Sequence, residues 1–320
     1  ILLNNFIEQS LQAVLRPLNF LLTLFFYAKY KIRYNFITSN TIFYNIFSII
    51  YVISILIIYF IHMLGVHLPS KNFYGIFIYV TSVFDYVFYS CDFILNTINN
   101  IVYRHINVIL VLKIQHAQRI LKIDRKQLKN LIIFNWANII LLSLFYIFWN
   151  IYISFLFYNF TLFSLVVTIF ISCFDGNILY ASCLLRLLWK TLEVWIDYIK
   201  RLELNEGNKS NYEKLIFKAY VDILDAYKII EKIFQHQVRI FFIKTTYLKA
   251  LSHFFEEKNN QLRHNIGSLV IIFYLTLQNI VEKFYSTMRD VRCLCILYIN
   301  KRGVSSKLKY IIIFYLNKGK

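Results

Sequence analysis

Proline and glycine are scarce in this chain, with two prolines and seven glycines among 320 residues. Transporters built from inverted repeats need Gly- or Pro-broken helices in matched positions, so that class is disfavoured. Cysteine is also sparse. Three of Cys91, Cys173, Cys183, Cys293 and Cys295 fall in or beside apolar runs, which argues against a secreted disulfide framework. Cys293 and Cys295 have no second Cys or His pair nearby and read as inert thiols rather than a metal site. No nucleophile elbow, phosphate loop, HExxH pair or nucleotide fingerprint occurs, so catalysis has no candidate residues and no cofactor is implied. The first residues lack the basic region, apolar core and small-residue cleavage site of a signal peptide. As the chain opens on Ile1, further sequence upstream is expected.

Acidic side chains are outnumbered, 17 against 35 Lys and Arg, giving a net charge of +18. The basic residues stand in blocks between apolar segments and show no nucleic-acid-binding motif, so they read as topology markers. What remains is strongly apolar, with 58% hydrophobic residues and a mean hydropathy of +0.54. That is more apolar surface than a water-soluble domain could hide. The run 131–157, LIIFNWANIILLSLFYIFWNIYISFLF, has no ionisable acid or base and follows the basic stretch Lys122–Lys129. Roughly 20 apolar residues suffice for a helix to cross ~30 Å of hydrocarbon.

Hydropathy over ~19-residue windows predicts spans at 41–64, 74–95, 131–157, 160–183 and 264–283. The segment 238–255 is interrupted by Lys244, Lys249 and His253, each unfavourable by ~2.5–3.5 kcal/mol if central in a lone helix. Residues 11–28, with Arg16 and Pro17, read as an amphipathic helix lying at the surface. Basic residues crowd 1–40, 96–130, 190–239 and the stretch after Lys283, while 65–73 holds only Lys71 and 157–160 holds none. The positive-inside rule then places the N-terminus in the cytoplasm. An even number of crossings must separate Arg239 from Lys283, which makes 238–255 a fifth span and 264–283 a sixth. The sequon at Asn159 falls outside and that at Asn208 inside. Apolar residues at Leu188, Leu192, Trp195, Ile199 and Leu202, then at Leu215, Ala219, Ile223, Ala226, Ile230 and Ile233, predict helices that continue into the cytoplasm. The expected fold is therefore an all-α polytopic transmembrane bundle of inverted topology, one domain over residues 1–320 in a cell membrane.

Four stretches carry a resemblance: LRPLNFLLTLFFYAKYKIRYNFITSNTIFYNIFSIIY (15–51), LLRLLWKTLEVWIDYIKRLE (184–203), YVDILDAYKIIEKIFQHQV (220–238) and VEKFYSTMRDVRCLCILYINKRGVSSKLKY (281–310). In order and topology they resemble the insect gustatory receptors, in particular those of moths and butterflies. The resemblance implies seven spans, a cytoplasmic N-terminus and a tetrameric ligand-gated cation channel detecting tastants in the plasma membrane of sensory neurons. It also implies a pore-lining seventh span with a Thr-Tyr and Gln-Phe signature. After Lys309 only YIIIFYLNKGK follows, so that span is expected to be missing from this chain. An odorant receptor, working with a common co-receptor, is the alternative within the same topology.

With this topology a tastant arriving from outside meets 74–85, 143–157 and 160–171 first. Tyr79, Trp149, Asn150 and Tyr152 could line an aromatic, hydrogen-bonding cavity there, or serve as interfacial anchors. Asp85 and Asp175 are ionisable groups within spans, where each must face a bundle interior, water or a partner helix. Either contacts ligand or bonds a neighbouring helix. His62 and His67 read as solvated loop residues and Arg186 as a marker of the inner boundary.

Overall fold

The computed structural model describes residues 5–65, 73–123, 125–157, 162–204 and 210–256. Seven helices and one hairpin dominate these residues: α1 Gln9–Leu24, β1 Lys31–Arg33, β2 Phe36–Thr38, α2 Ile42–Gly65, α3 Phe73–Val102, α4 Arg104–Ile120, α5 Arg125–Phe157, α6 Leu162–Leu204 and α7 Ser210–Glu256. The chain is thus mostly helical. The predicted crossing at 264–283, both sequons and most of the 65–73 loop lie outside the described residues.

Two of the described helices are long and apolar enough to cross a membrane, over Ile42–Ile61 and Arg125–Phe148. The core helix of a water-soluble protein meets the same length and composition test but is mostly buried. Here only 28% of each window is buried. On α2 the exposed side chains include Ile42, Phe43, Ile46, Phe47, Ile50 and Ile53, and on α5 they include Ile140, Leu141, Leu144, Ile147, Phe148 and Ile151. An apolar surface that continuous is far beyond the scattered exposed leucines of ordinary proteins.

The helices divide between two compact units. The first comprises the described residues within 1–108, 129–181 and 233–255, and the second those within 109–128 and 182–232. In the first unit α1 buries Leu11, Val14, Leu15, Leu18 and Leu22, a stripe at three- and four-residue spacing, and exposes Arg16 and Phe20. This is the amphipathic pattern the sequence predicts, but the helix ends at Leu24 and its apolar stripe is packed against protein. Asn135 on α5 donates to the Val14 carbonyl at 3.0 Å. In the same unit α2 packs on α3, with the Tyr59 and Tyr86 rings 4.9 Å apart. In the second unit the α6 residues Leu187, Leu188, Leu192, Trp195 and Ile199 are buried, as are Ile216, Ala219, Tyr220, Ile223, Ala226 and Ile230 of α7. Leu215, expected on the apolar face of α7, is instead exposed, and Ile216 occupies the buried position.

The shortage of glycine shapes the turns. Four non-glycine residues take positive φ: Phe26, Tyr34, Asn35 and Lys122. Helix α1 ends in a Schellman motif, with the Tyr27 N–H donating to Leu22 O at 2.7 Å and the Phe26 N–H to Thr23 O at 3.1 Å. Helix α4 ends in the same way through Lys122 and Ile123. A left-handed position that glycine would occupy without steric penalty is filled by a phenylalanine in one case and a lysine in the other.

Candidate functional site

Asp175 is the one predicted site residue whose side chain falls among the described residues. The side chains of Tyr79, Asp85, Trp149, Asn150 and Tyr152 lie outside them, although all five positions are helical. Asp175 stands on α6 and accepts a hydrogen bond from the Tyr146 hydroxyl of α5. Tyr146 itself is buried. Nearby on α6, Asn177 donates back to the Cys173 carbonyl at 2.9 Å. Of the two roles open to Asp175, the bond to a neighbouring helix is therefore present in the structure.

A second polar cluster lies in the same unit, and sequence reasoning missed it. Lys29, counted among the cationic topology markers, is 1% exposed. Its Nζ donates to Asn96 Oδ1 at 2.9 Å and to Asn100 Oδ1 at 2.5 Å, and it lies 5.6 Å from the centre of the Phe234 ring. Two amide oxygens and a π face thus receive the ammonium group. Burial pushes Lys29 down to about 7, against the pull of the Asp92 charge. The backbone that delivers Lys29 is held from several sides. The Ala28 N–H donates to the Tyr44 hydroxyl at 3.1 Å, Ser48 donates to Phe26 O at 3.0 Å, and Asn100 Nδ2 donates to Tyr27 O at 3.4 Å. Asn99 adds a bond to Ile233 O on α7 at 3.2 Å. The sequence held one clue: Asp92, Asn96, Asn99 and Asn100 repeat at helical spacing and form a polar stripe on α3.

The second unit has a charged cluster between α4 and α7. Lys113 Nζ lies 2.7 Å from Asp222 and 3.1 Å from Asp225, while His116 Nδ1 meets the other oxygen of Asp222. Partial burial draws the Lys113 ammonium down, but the hydrogen bonds and charges of Asp222 and Asp225 outweigh that and leave it raised. On α6, Trp195 is fully buried, donates through Nε1 to Ile216 O at 2.8 Å and stacks on Tyr220 with centroids 5.0 Å apart.

Among the described residues no three His, Cys, Asp or Glu side chains gather as a metal-holding group, and Cys91, Cys173 and Cys183 are free thiols. What the arrangement offers chemically is hydrogen bonding and charge pairing between helices. No family model matches the chain, and neither a curated protein nor a solved structure does.

Proposed function

We propose that this chain is a multi-pass membrane chemoreceptor subunit of the gustatory-receptor type, a ligand-gated cation channel responding to small-molecule tastants. The observation that carries the membrane part is the exposed apolar surface of α2 and α5, whose windows leave most of their side chains uncovered by protein. The receptor part rests on the order of the four resembling stretches and on the blocks of Lys and Arg that alternate with the predicted spans. Helices α6 and α7 have 43 and 47 residues, each well beyond the roughly 20 a crossing needs. That surplus fits spans that continue into an aqueous layer, the arrangement expected of this receptor type.

In this reading an outward-facing pocket binds the tastant and shifts a closed-to-open equilibrium, by no more than the ligand's preference for the open state. Tyr79, Asp85, Trp149, Asn150, Tyr152 and Asp175 are the pocket residues proposed. Subunits assemble as homo- or hetero-tetramers in the plasma membrane. The test is co-expression of the full chain with other receptor subunits in cells loaded with a calcium dye, against a panel of sugars and bitter compounds. A tastant-evoked cation influx that depends on this subunit supports the reading. Surface expression without any such influx, whatever the partner, removes it. Among the six residues, alanine replacement that leaves both surface level and agonist potency unchanged takes a residue off the list.

A further inference from the structure

The hairpin formed by β1 and β2 has no counterpart in the all-helical expectation. Its register pairs Lys31 with Thr38, Ile32 with Ile37 and Arg33 with Phe36. Because side chains alternate across a strand, one face carries Ile32 and Ile37 and the other Lys31, Arg33, Phe36 and Thr38. Ile37 is buried, whereas all four residues of the other face are exposed. The hairpin is fixed in place: the Ile7 N–H donates to Asn35 O at 2.7 Å, the Ile37 N–H to Asn5 O at 2.9 Å, and Gln12 Nε2 to Asn35 Oδ1 at 2.9 Å.

Tyr34 and Asn35 form its two-residue loop, with φ of 48° and 65°. That is the left-handed pair a primed hairpin turn demands, and Asn-Gly or Asp-Gly would meet it with less strain. A tyrosine, 92% exposed, occupies the first position instead. The fold thus holds a large amphipathic ring outward at a strained position, flanked by Lys31 and Arg33 on the outward face. The charge is also unopposed along the chain, since no Asp or Glu lies between Glu8 and Asp85.

Only Ser39, Asn40 and Thr41 separate the hairpin from α2, whose first residues Ile42 and Phe43 are exposed and apolar. If α2 crosses the bilayer, chain connectivity keeps the hairpin within a few residues of the headgroups. We propose that the outward face of the hairpin, Lys31, Arg33, Tyr34 and Phe36, is a docking surface for anionic phospholipid headgroups of the leaflet where α2 begins. The two cations meet phosphate and carboxylate oxygens, and the two rings occupy the interfacial layer that aromatic residues favour. This inference rests on the membrane reading of α2.

Amide hydrogen exchange on the full chain in lipid nanodiscs tests it, comparing phosphatidylcholine alone with phosphatidylcholine containing phosphatidylserine. The amides of residues 31–38 are expected to exchange more slowly with phosphatidylserine, by about fivefold for each cation brought to the anionic surface. Combined Lys31→Gln and Arg33→Gln replacement is expected to abolish the difference while Ile7 and Ile37 remain protected. Should that variant lose protection at Ile37, the single replacements decide, each lowering the effect about fivefold. Equal exchange in the two lipids, or an undiminished effect in the variants, overturns the inference and leaves the membrane reading intact. A chain that never enters the discs overturns both.

Discussion

Lys29 shows how far burial can outweigh a residue's usual habit. The folded state releases its proton at about 7, while the unfolded chain holds it to about 10.5. Between those values the unfolded state binds more protons, so stability is expected to rise as pH increases through this window. Below it the burial penalty is fully present. Thermal unfolding of the detergent-solubilised chain should show this slope, and Lys29→Met should flatten it. Replacement with Met also strands the Asn96 and Asn100 amide oxygens, so the pH dependence is the diagnostic quantity rather than the absolute melting temperature. At Asp175 the expected change is smaller. Tyr146→Phe deletes one interhelical hydrogen bond, which should lower stability by about 0.6–1.7 kcal/mol, read as a shift in the same unfolding transition. No individual residue advertised either partnership. A lysine just ahead of an apolar helix reads as a cytoplasmic marker, and only the fold reveals that its acceptors lie 67 and 71 residues further along.

Helices were legible where their apolar surface was unmixed. The windows Ile42–Ile61 and Arg125–Phe148 overlap the predicted spans 41–64 and 131–157 because apolar residues dominate both. The continuation of α6 could also be read in advance, since Leu188, Leu192, Trp195 and Ile199 keep helical spacing and are buried as that spacing requires. The hairpin was hidden because its loop is Tyr-Asn rather than the Asn-Gly that signals a primed turn. Register on α7 slipped by one at Leu215 and Ile216 because both are apolar and periodicity alone cannot choose between them. For the α4–α7 contact, burial decides which carboxylate matters. The Asp222 side chain is 6% exposed and serves both Lys113 and His116, whereas that of Asp225 is 45% exposed. Asp222→Asn is therefore expected to destabilise by roughly 1–3 kcal/mol. Asp225→Asn should stay within about 0.5 kcal/mol, because a largely exposed ion pair contributes little. Chemical denaturation of the two variants side by side checks the ordering.

For the molecule as a whole, topology is the property on which the proposed function turns. Glycosylation mapping reads it directly. Asn159 is expected to accept a glycan in a microsomal translation system, and Asn208 is expected to remain bare. A glycan at Asn208, or none at Asn159 when a control sequon moved into the same loop is modified, contradicts the alternating arrangement. The mostly helical character and the two apolar helices were visible in composition and hydropathy. The gathering of Lys29, the α3 stripe and α7 was not, because it depends on which faces of distant helices meet. Hydropathy measures how a segment partitions and carries no record of its neighbours.

The Lys29 cluster also bears on the order of events during synthesis. Its ammonium leaves the ribosome before α3, and the ring of Phe234 arrives only when nearly all of the described chain has been made. Until α3 delivers Asn96 and Asn100, only water can solvate that cation, so the segment around Lys29 closes over α3 no earlier than that helix is made. A ribosome stalled before α3 should accordingly leave Lys29 open to amine-reactive reagents, and release of the finished chain should protect it.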